Sequence, residues 1–297
     1  MEKLHGIVTA LVTPIDKQGN ILSHSVEQLV ERLIRAGIHG IYPLGSTGEM
    51  LLLSKEQRMR MAECVINCVR GRVPVYVHIA APTTKETVFF ARHAYDAGAT
   101  GIAAVTPMYY KVSDAEMLTY YGEIARSIPE DFPLYLYNLP QSTGNDLKPR
   151  VCAQLAQRYP NIIGIKYSFA DMERTREYLQ IKNGGFSVLH GSDTLLDAAL
   201  ILGCDGVVSG LSNAFPLSFV KVYEAFARGD SQSVRAGMED VVKIGHILLN
   251  GCGMANIKAA IALQGIDMGG MVPPLMPADE EKAHALKAAL QAAGLLP

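Results

Sequence analysis

Four stretches of the chain end an apolar run in side chains able to do chemistry. In Ile162-Ile163-Gly164-Ile165-Lys166-Tyr167 a lysine closes a β-rich run. Two-residue alternation places Ile162, Gly164 and Lys166 on one face and Ile163 and Ile165 on the other, with Gly164 leaving room beneath the lysine. An amine in an apolar mouth is expected to have a lowered pKa, because burial disfavours its charge. In the neutral form it attacks carbonyl carbons and makes Schiff bases. Position alone equally allows a lysine that snorkels at a strand end or pairs with a carboxylate.

The second stretch is Pro133-Leu134-Tyr135-Leu136-Tyr137-Asn138. Tyr135 and Tyr137 share a face, and Tyr137 ends the strand next to the one carrying Lys166. A phenol there can relay protons to a carbonyl-derived oxygen or carbon, or simply be a core tyrosine with its hydroxyl at the rim. The third is Gly45-Ser46-Thr47-Gly48-Glu49. Its glycines permit a tight turn, and its N–H groups and two hydroxyls suit a carboxylate or a phosphate. The fourth combines His190-Gly191-Ser192-Asp193 with Ser209-Gly210, a place where barrels often bind phosphate. On these residues alone a phosphosugar or flavin enzyme stays open. His78 reads as a pocket wall or a hydrogen-bonded core histidine. The eight histidines are scattered, with no H-x-x-x-H and no clustered carboxylates, so no metal site is expected.

The elements that must position these groups are legible as an alternation. Val26, Leu29, Val30, Leu33 and Ile34 follow the template of a helix with one buried face. Ser54–Gln57, Thr83–Glu86 and Ser113–Glu116 read as capping boxes opening three more helices. Between the helices lie candidate strands near 7–12, 39–42, 74–79, 101–105, 133–138, 162–166, 186–190 and 205–208. Short apolar strands separated by helices imply parallel pairing, and eight such units fit an α/β chain folded as a (β/α)8 TIM barrel. An open doubly wound sheet often carries a glycine-rich dinucleotide turn, and neither G-x-G-x-x-G nor G-x-x-x-x-G-K-[ST] occurs here. Arg228-Gly229-Asp230 reads as the end of the last barrel helix. Beyond it Met238, Val241, Val242, Gly245, Leu248 and Leu249 trace another helical stripe, and 279–293 is rich in Ala and Leu. The expected division is a catalytic barrel over 1–229 and a C-terminal helical region over 230–297 packed on it.

Composition narrows the function classes. Of 297 residues 49% are apolar and 19% charged, with 27 basic against 29 acidic side chains. That balance excludes a disordered chain and offers no basic patch for nucleic acid. No segment reaches the roughly 18 uninterrupted apolar residues of a membrane span, and no export signal is legible. The five cysteines, Cys64, Cys68, Cys152, Cys204 and Cys252, read as free core thiols of a soluble, cytoplasmic protein.

Taken together, these residues resemble the dihydrodipicolinate synthase / N-acetylneuraminate lyase family of class I, Schiff-base-forming barrel enzymes. The resemblance runs from about Gly6 to Phe226, with the helical tail consistent as well. It rests on G-S-T-G-E at 45–49, T-P-x-Y-Y at 106–110, Y-N-x-P at 137–140, G-I-K at 164–166 and G-S-D at 191–193. It implies that Lys166 forms the imine with pyruvate or another 2-oxo acid. Tyr137 would shuttle the proton, and Ser46 and Thr47 would orient it and hold the carboxylate. Gly48, Ser168, Gly191, Asp193 and Val208 would be further substrate-binding positions. Tyr109 matches a catalytic tyrosine that reaches the active site of the neighbouring subunit, in a homotetramer built from tight dimers. No cofactor beyond the covalent imine and no metal is implied.

The chain departs from both name-giving members. Ser142 stands where dihydrodipicolinate synthases carry an arginine for a substrate carboxylate, and a guanidinium fork is not replaced conservatively by a hydroxyl. Thr194 stands where sialate lyases use an acidic residue to hold the sugar tail, and Gly210 where they use a serine. The expected activity is therefore a lyase, aldolase or hydro-lyase, on a 2-keto-3-deoxy sugar acid or a 4-hydroxy-2-oxo acid. The alternatives are 4-hydroxy-tetrahydrodipicolinate synthase with the arginine's role filled elsewhere, a non-catalytic barrel that binds a 2-oxo acid, and a metal-dependent aldolase.

Overall fold

The computed structural model describes residue 1, residues 3–250 and residues 253–297. Cys252 therefore lies outside the described residues; Cys64, Cys68, Cys152 and Cys204 are free thiols. Eight strands alternate with helices: β1 (Gly6–Ala10), β2 (Gly40–Tyr42), β3 (Tyr76–His78), β4 (Gly101–Val105), β5 (Leu134–Asn138), β6 (Ile162–Tyr167), β7 (Ser187–His190) and β8 (Gly206–Ser209). All pairs are parallel, in the order β2-β1-β8-β7-β6-β5-β4-β3. A parallel bridge between Ile41 and Val75 joins β2 to β3 and closes the ring. Two hydrogen bonds flank that joint, Ile41 N–H to the Pro74 carbonyl (2.9 Å) and His78 N–H to the Pro43 carbonyl (3.1 Å). The chain is a (β/α)8 barrel, as its alternation of elements requires.

The helices are α1 (Ser23–Arg35), α2 (Lys55–Val69), α3 (Thr84–Asp96), α4 (Asp114–Arg126), α5 (Pro140–Thr143), α6 (Pro149–Arg158), α7 (Met172–Leu179), α8 (Leu196–Leu202), α9 (Pro216–Ala227), α10 (Ser231–Leu248), α11 (Gly253–Ala262) and α12 (Glu280–Ala292). On α1 the predicted stripe is the packing face: Val26, Leu29, Val30 and Leu33 are fully buried, each contributing about 2 kcal/mol by leaving water. The boxes at Ser54 and Ser113 are reciprocal, side chain to backbone in both directions. At Thr83 only half the box forms. Its hydroxyl accepts from Glu86 N–H (3.2 Å), and the Glu86 carboxylate accepts from that same hydroxyl (2.8 Å) instead of reaching back to the Thr83 backbone.

Two cores result from the alternation along the strands. Val8, Tyr42, Tyr76, Ala103, Tyr135, Leu189 and Val208 fill the barrel interior, with Leu4 plugging its N-terminal end. A larger shell of apolar side chains lies between strands and helices. Strand β6 breaks the expected alternation. Leu134 pairs with Ile162 but Tyr135 pairs with Gly164, so one extra residue is inserted. Ile162 consequently packs in the outer shell with Ile165, and Ile163 turns to the interior, the reverse of the simple period. Beyond the extra residue the pattern recovers, and Gly164 and Lys166 face inward.

Gly229, at φ +73°, ends the α9 turn, and the Asp230 side chain caps α10. Helix α10 packs on α9 and on the short turn Asp193–Leu195. Its face is Val234, Met238, Val241, Ile244, Gly245 and Leu248. Leu249, assigned by its spacing to the buried stripe, is 53% exposed because the helix ends at Leu248. Among the described residues no helix is long and apolar enough to cross a membrane.

Candidate active site

The end of β6 sets Lys166 beside Tyr137 on β5 and Leu189 on β7. Only 5% of Lys166 is exposed. Its Nζ lies 4.2 Å from the centre of the Tyr137 ring and 4.7 Å from that of Tyr42, so two aromatic faces flank the amine. No carboxylate is within ion-pair distance of it among the described residues. The Tyr42 hydroxyl is buried without a partner, and burial, reinforced by neighbouring Tyr137, pushes its pKa well above the usual phenol value. His78, fully buried, accepts the Val105 N–H at Nε2 (3.1 Å). Burial holds its pKa well down, with the charges of Arg58 and Lys166 adding to the effect. His78 is thus a neutral, hydrogen-bonded core histidine.

Opposite the lysine, the chain leaves β2 through a tight loop. Leu44 (φ 63°) and Glu49 (φ 59°) both take the left-handed conformation, and Ser46–Gly48 form one 3-10 turn between them. Among the described residues the backbone N–H groups of Ser46 and Thr47 meet no acceptor, which leaves a small positive concavity. The loop is pinned from below, where Thr13 Oγ1 donates to the Gly48 carbonyl (2.7 Å). It is pinned from behind by a buried ion pair, Glu49 Oε1 to Lys258 Nζ at 2.5 Å. Burial lowers the Lys258 pKa and the Glu49 charge pulls it back up.

The third wall follows β6, β7 and β8. Gly191 must be glycine, since a Cβ there would sit 1.9 Å from Ser168 Oγ. Gln141 Nε2 donates to the Ser168 carbonyl (2.7 Å), tying the short helix α5 to this wall. Asp193 Oδ1 is sealed from solvent without a hydrogen bond. Burial pushes its pKa up to about 6, against the pull of the Ser209 hydroxyl and Leu211 N–H and the Lys166 charge.

These walls enclose a cavity of about 580 Å³ at the C-terminal ends of the strands. Eight residues singled out from the sequence line it: Lys166, Tyr137, Ser46, Thr47, Ser168, Gly191, Asp193 and Val208. Ser142, Thr194 and Gly210 line it too. Gly48 does not; it is buried beneath the loop, its carbonyl taken by Thr13. Tyr109 does not line the cavity of its own chain either. It is 86% exposed at φ 73°, on a loop whose backbone is held by Thr143 and Asn145. No sequence motif marks Leu249, Met254 or Ile257 as site residues, yet they bring an apolar wall from the C-terminal region. Among the described residues no three His, Cys, Asp or Glu side chains converge as a metal site would need.

The profile of the dihydrodipicolinate synthetase family matches residues 3–293. An uncharacterized DapA-like lyase of Halobacterium salinarum is 36% identical, across 99% of this chain and 95% of its own. A 4-hydroxy-tetrahydrodipicolinate synthase of Methanopyrus kandleri is 32% identical, across 99% and 98%. Escherichia coli YagE, provisionally a 2-dehydro-3-deoxy-D-gluconate aldolase, is 34% identical across 96% of each chain. Its crystal structure in complex with pyruvate superimposes with a TM-score of 0.93, at 33% identity, over 98% of this chain and 99% of that one. Identities this even do not separate synthase from aldolase.

Proposed function

The chain belongs to the dihydrodipicolinate synthetase family of lyases and aldolases, and on that premise we propose that it cleaves a 2-keto-3-deoxy sugar acid or a related 4-hydroxy-2-oxo acid through a Lys166 imine. The observation that carries this reading is the make-up of the cavity beyond the lysine. Gln141, Ser142, Ser192 and Thr194 offer hydroxyl and amide groups, and among the described residues no arginine and no lysine besides Lys166 lines it. A neutral polyhydroxylated tail fits such a lining. A second carboxylate would be left without a cation, and an unpaired buried charge is costly.

In the proposed reaction the Lys166 amine adds to C2 of the 2-oxo acid, and the Tyr137 phenol gives its proton to the C2 hydroxyl, which leaves as water; the protonated imine and a Tyr137 phenolate result. The substrate carboxylate sits on the free N–H groups and hydroxyls of Ser46 and Thr47. Tyr137 takes the proton of the C4 hydroxyl as the C3–C4 bond breaks. The bonding pair moves into the iminium, giving an enamine and a free aldehyde. Tyr137 returns the proton to C3, and water then releases pyruvate and the amine. The aromatic faces of Tyr137 and Tyr42 favour the cationic imine over its neutral precursor. Tyr109, exposed on its own chain, enters the site of a neighbouring copy in a homotetramer. The four described free thiols suit the reducing cytoplasm.

The rival activity is condensation of pyruvate with aspartate semialdehyde, the reaction class named for the Methanopyrus relative. It is tested beside cleavage of 2-keto-3-deoxygluconate on the same preparation, and turnover of the semialdehyde alone overturns the sugar-acid reading. Intact-protein mass after borohydride and pyruvate tests the imine itself. One reduced pyruvate adduct is expected on the wild type and none on Lys166→Ala, and no adduct on folded wild type refutes the mechanism.

A further inference from the structure

The buried contact between Glu49 and Lys258 has no part in the chemistry just described, yet it lies directly behind the loop that would hold the substrate carboxylate. Each of the two groups also holds a backbone group of the 270–272 segment. Glu49 Oε1 meets Lys258 Nζ at 2.5 Å, and Glu49 Oε2 accepts the Val272 N–H at 2.7 Å. Lys258 Nζ also donates to the Gly270 carbonyl at 2.7 Å. The side chains are 0% and 6% exposed. A dry ion pair is a poor way to gain stability, because desolvating both charges offsets most of their attraction, and a well-packed apolar pair does as well. What it does supply is a fixed distance and direction between two segments 209 residues apart in the chain.

Both segments contribute to the wall of the cavity. On the barrel side Glu49 ends the turn that carries Ser46 and Thr47, and its own N–H donates to the Ser46 carbonyl (3.1 Å). On the other side Lys258 follows Ile257 on α11, and Ile257 and Met254 line the cavity. Between them sits Gly210, where a Cβ would lie 3.4 Å from Thr47 Oγ1 and 3.9 Å from Ile257 Cδ1. We propose that the Glu49–Lys258 pair is a positioning strut: it uses the C-terminal region as an anchor to set the Ser46–Thr47 loop at the distance from Lys166 that a 2-oxo acid requires. The inference rests on the imine reading above and adds residues that touch neither substrate nor nucleophile.

Borohydride trapping with pyruvate reads loop position without knowledge of the natural substrate. Half-saturating pyruvate is measured for wild type, Glu49→Gln, Lys258→Met and their double variant, with the melting temperature of each sample. Both single variants should melt lower, each leaving one buried charge uncompensated, and the double variant should regain most of that loss. Half-saturating pyruvate should rise about tenfold in all three, since misplacing a binding group by a fraction of an ångström is enough. If the double variant regains pyruvate affinity along with its melting temperature, the pair only holds the fold together and the inference falls. Glu49→Asp provides the second reading, because it keeps both charges on an arm one methylene shorter. It should melt near wild type with a raised half-saturation, and an unchanged half-saturation overturns the strut. Wild type that never forms an adduct would instead fail the imine reading.

Discussion

Gly164→Ala isolates the packing beneath the nucleophile. The Gly164 backbone is not in the left-handed region, so alanine incurs no conformational strain there. The cost is steric: the new Cβ would lie 2.5 Å from Tyr135 Cε1, 2.6 Å from the Ser187 carbonyl oxygen and 2.7 Å from Ser187 Cβ. None of these can swing away freely. The Ser187 oxygen is backbone in β7, and Tyr135 is fixed by donating to Ser187 Oγ (2.7 Å) and accepting from Leu4 N–H (3.1 Å). Overpacking of a rigid core costs about 1–3 kcal/mol, and displacing Tyr135 adds about 1 kcal/mol for strained hydrogen bonds. A total of about 3 kcal/mol is expected. For a chain of 297 residues the unfolding entropy is about 0.6 kcal/mol per kelvin, so the melting temperature should fall by about 5 °C. Urea titration and calorimetry on both proteins measure this. Gly229→Ala is the control, since Gly229 sits at φ +73° with nothing within 4 Å of a Cβ; strain alone should cost it about 1 kcal/mol. A Gly164→Ala protein within about 0.5 kcal/mol of wild type would refute the claim that Tyr135 and Ser187 are immobile.

Three further outcomes are expected. Tyr42→Phe removes a buried hydroxyl that has no partner and keeps the ring beside Lys166; it should gain about 1 kcal/mol in urea unfolding, and a loss of that size would mean the hydroxyl is bonded. Burial pushes the Asp193 pKa up to about 6 in the folded chain, against 3.8 as its ordinary value. Its native form therefore takes up protons before its unfolded form, and its contribution to stability rises as pH falls from about 6 towards 3.8. The stability difference between wild type and Asp193→Asn should change in that window, and a difference flat with pH refutes it. Ser142→Arg puts a cation at the cavity rim; kcat/KM on a neutral-tailed substrate should fall about tenfold while pyruvate trapping is unchanged, and an equal loss in both would remove Ser142 from the tail end.

The barrel and most of the site were readable because both are encoded locally. Each strand is a short apolar run ended by a turn residue, and Lys166, Tyr137, Ser46 and Asp193 stand at such ends. What escaped depends on relations that no local pattern carries. Alternation cannot reveal one inserted residue, so Ile162 and Ile163 exchanged faces. Met254 and Ile257 carry no chemistry-bearing group, and only their packing over the barrel mouth makes them cavity wall. Tyr42 ends a candidate strand, and its place beside Lys166 comes from ring closure. Glu49 ends a glycine-rich motif, but its partner lies on α11 and no spacing points there.

The closure between β2 and β3 has a mechanical consequence. The other joints of the ring are ladders, and this one is a single bridge at Ile41 and Val75. A hoop under thermal stress gapes at its weakest seam. The loop bearing Ser46 and Thr47 springs from one lip of that seam, at the end of β2. Lys166 stands on β6, four staves away on the far side of the hoop. Any gaping therefore acts as an iris, changing the span between carboxylate loop and nucleophile before it disturbs either one. The Glu49–Lys258 contact ties that lip to α11 outside the ring, so under the proposed strut a helix that supplies no stave would set the aperture.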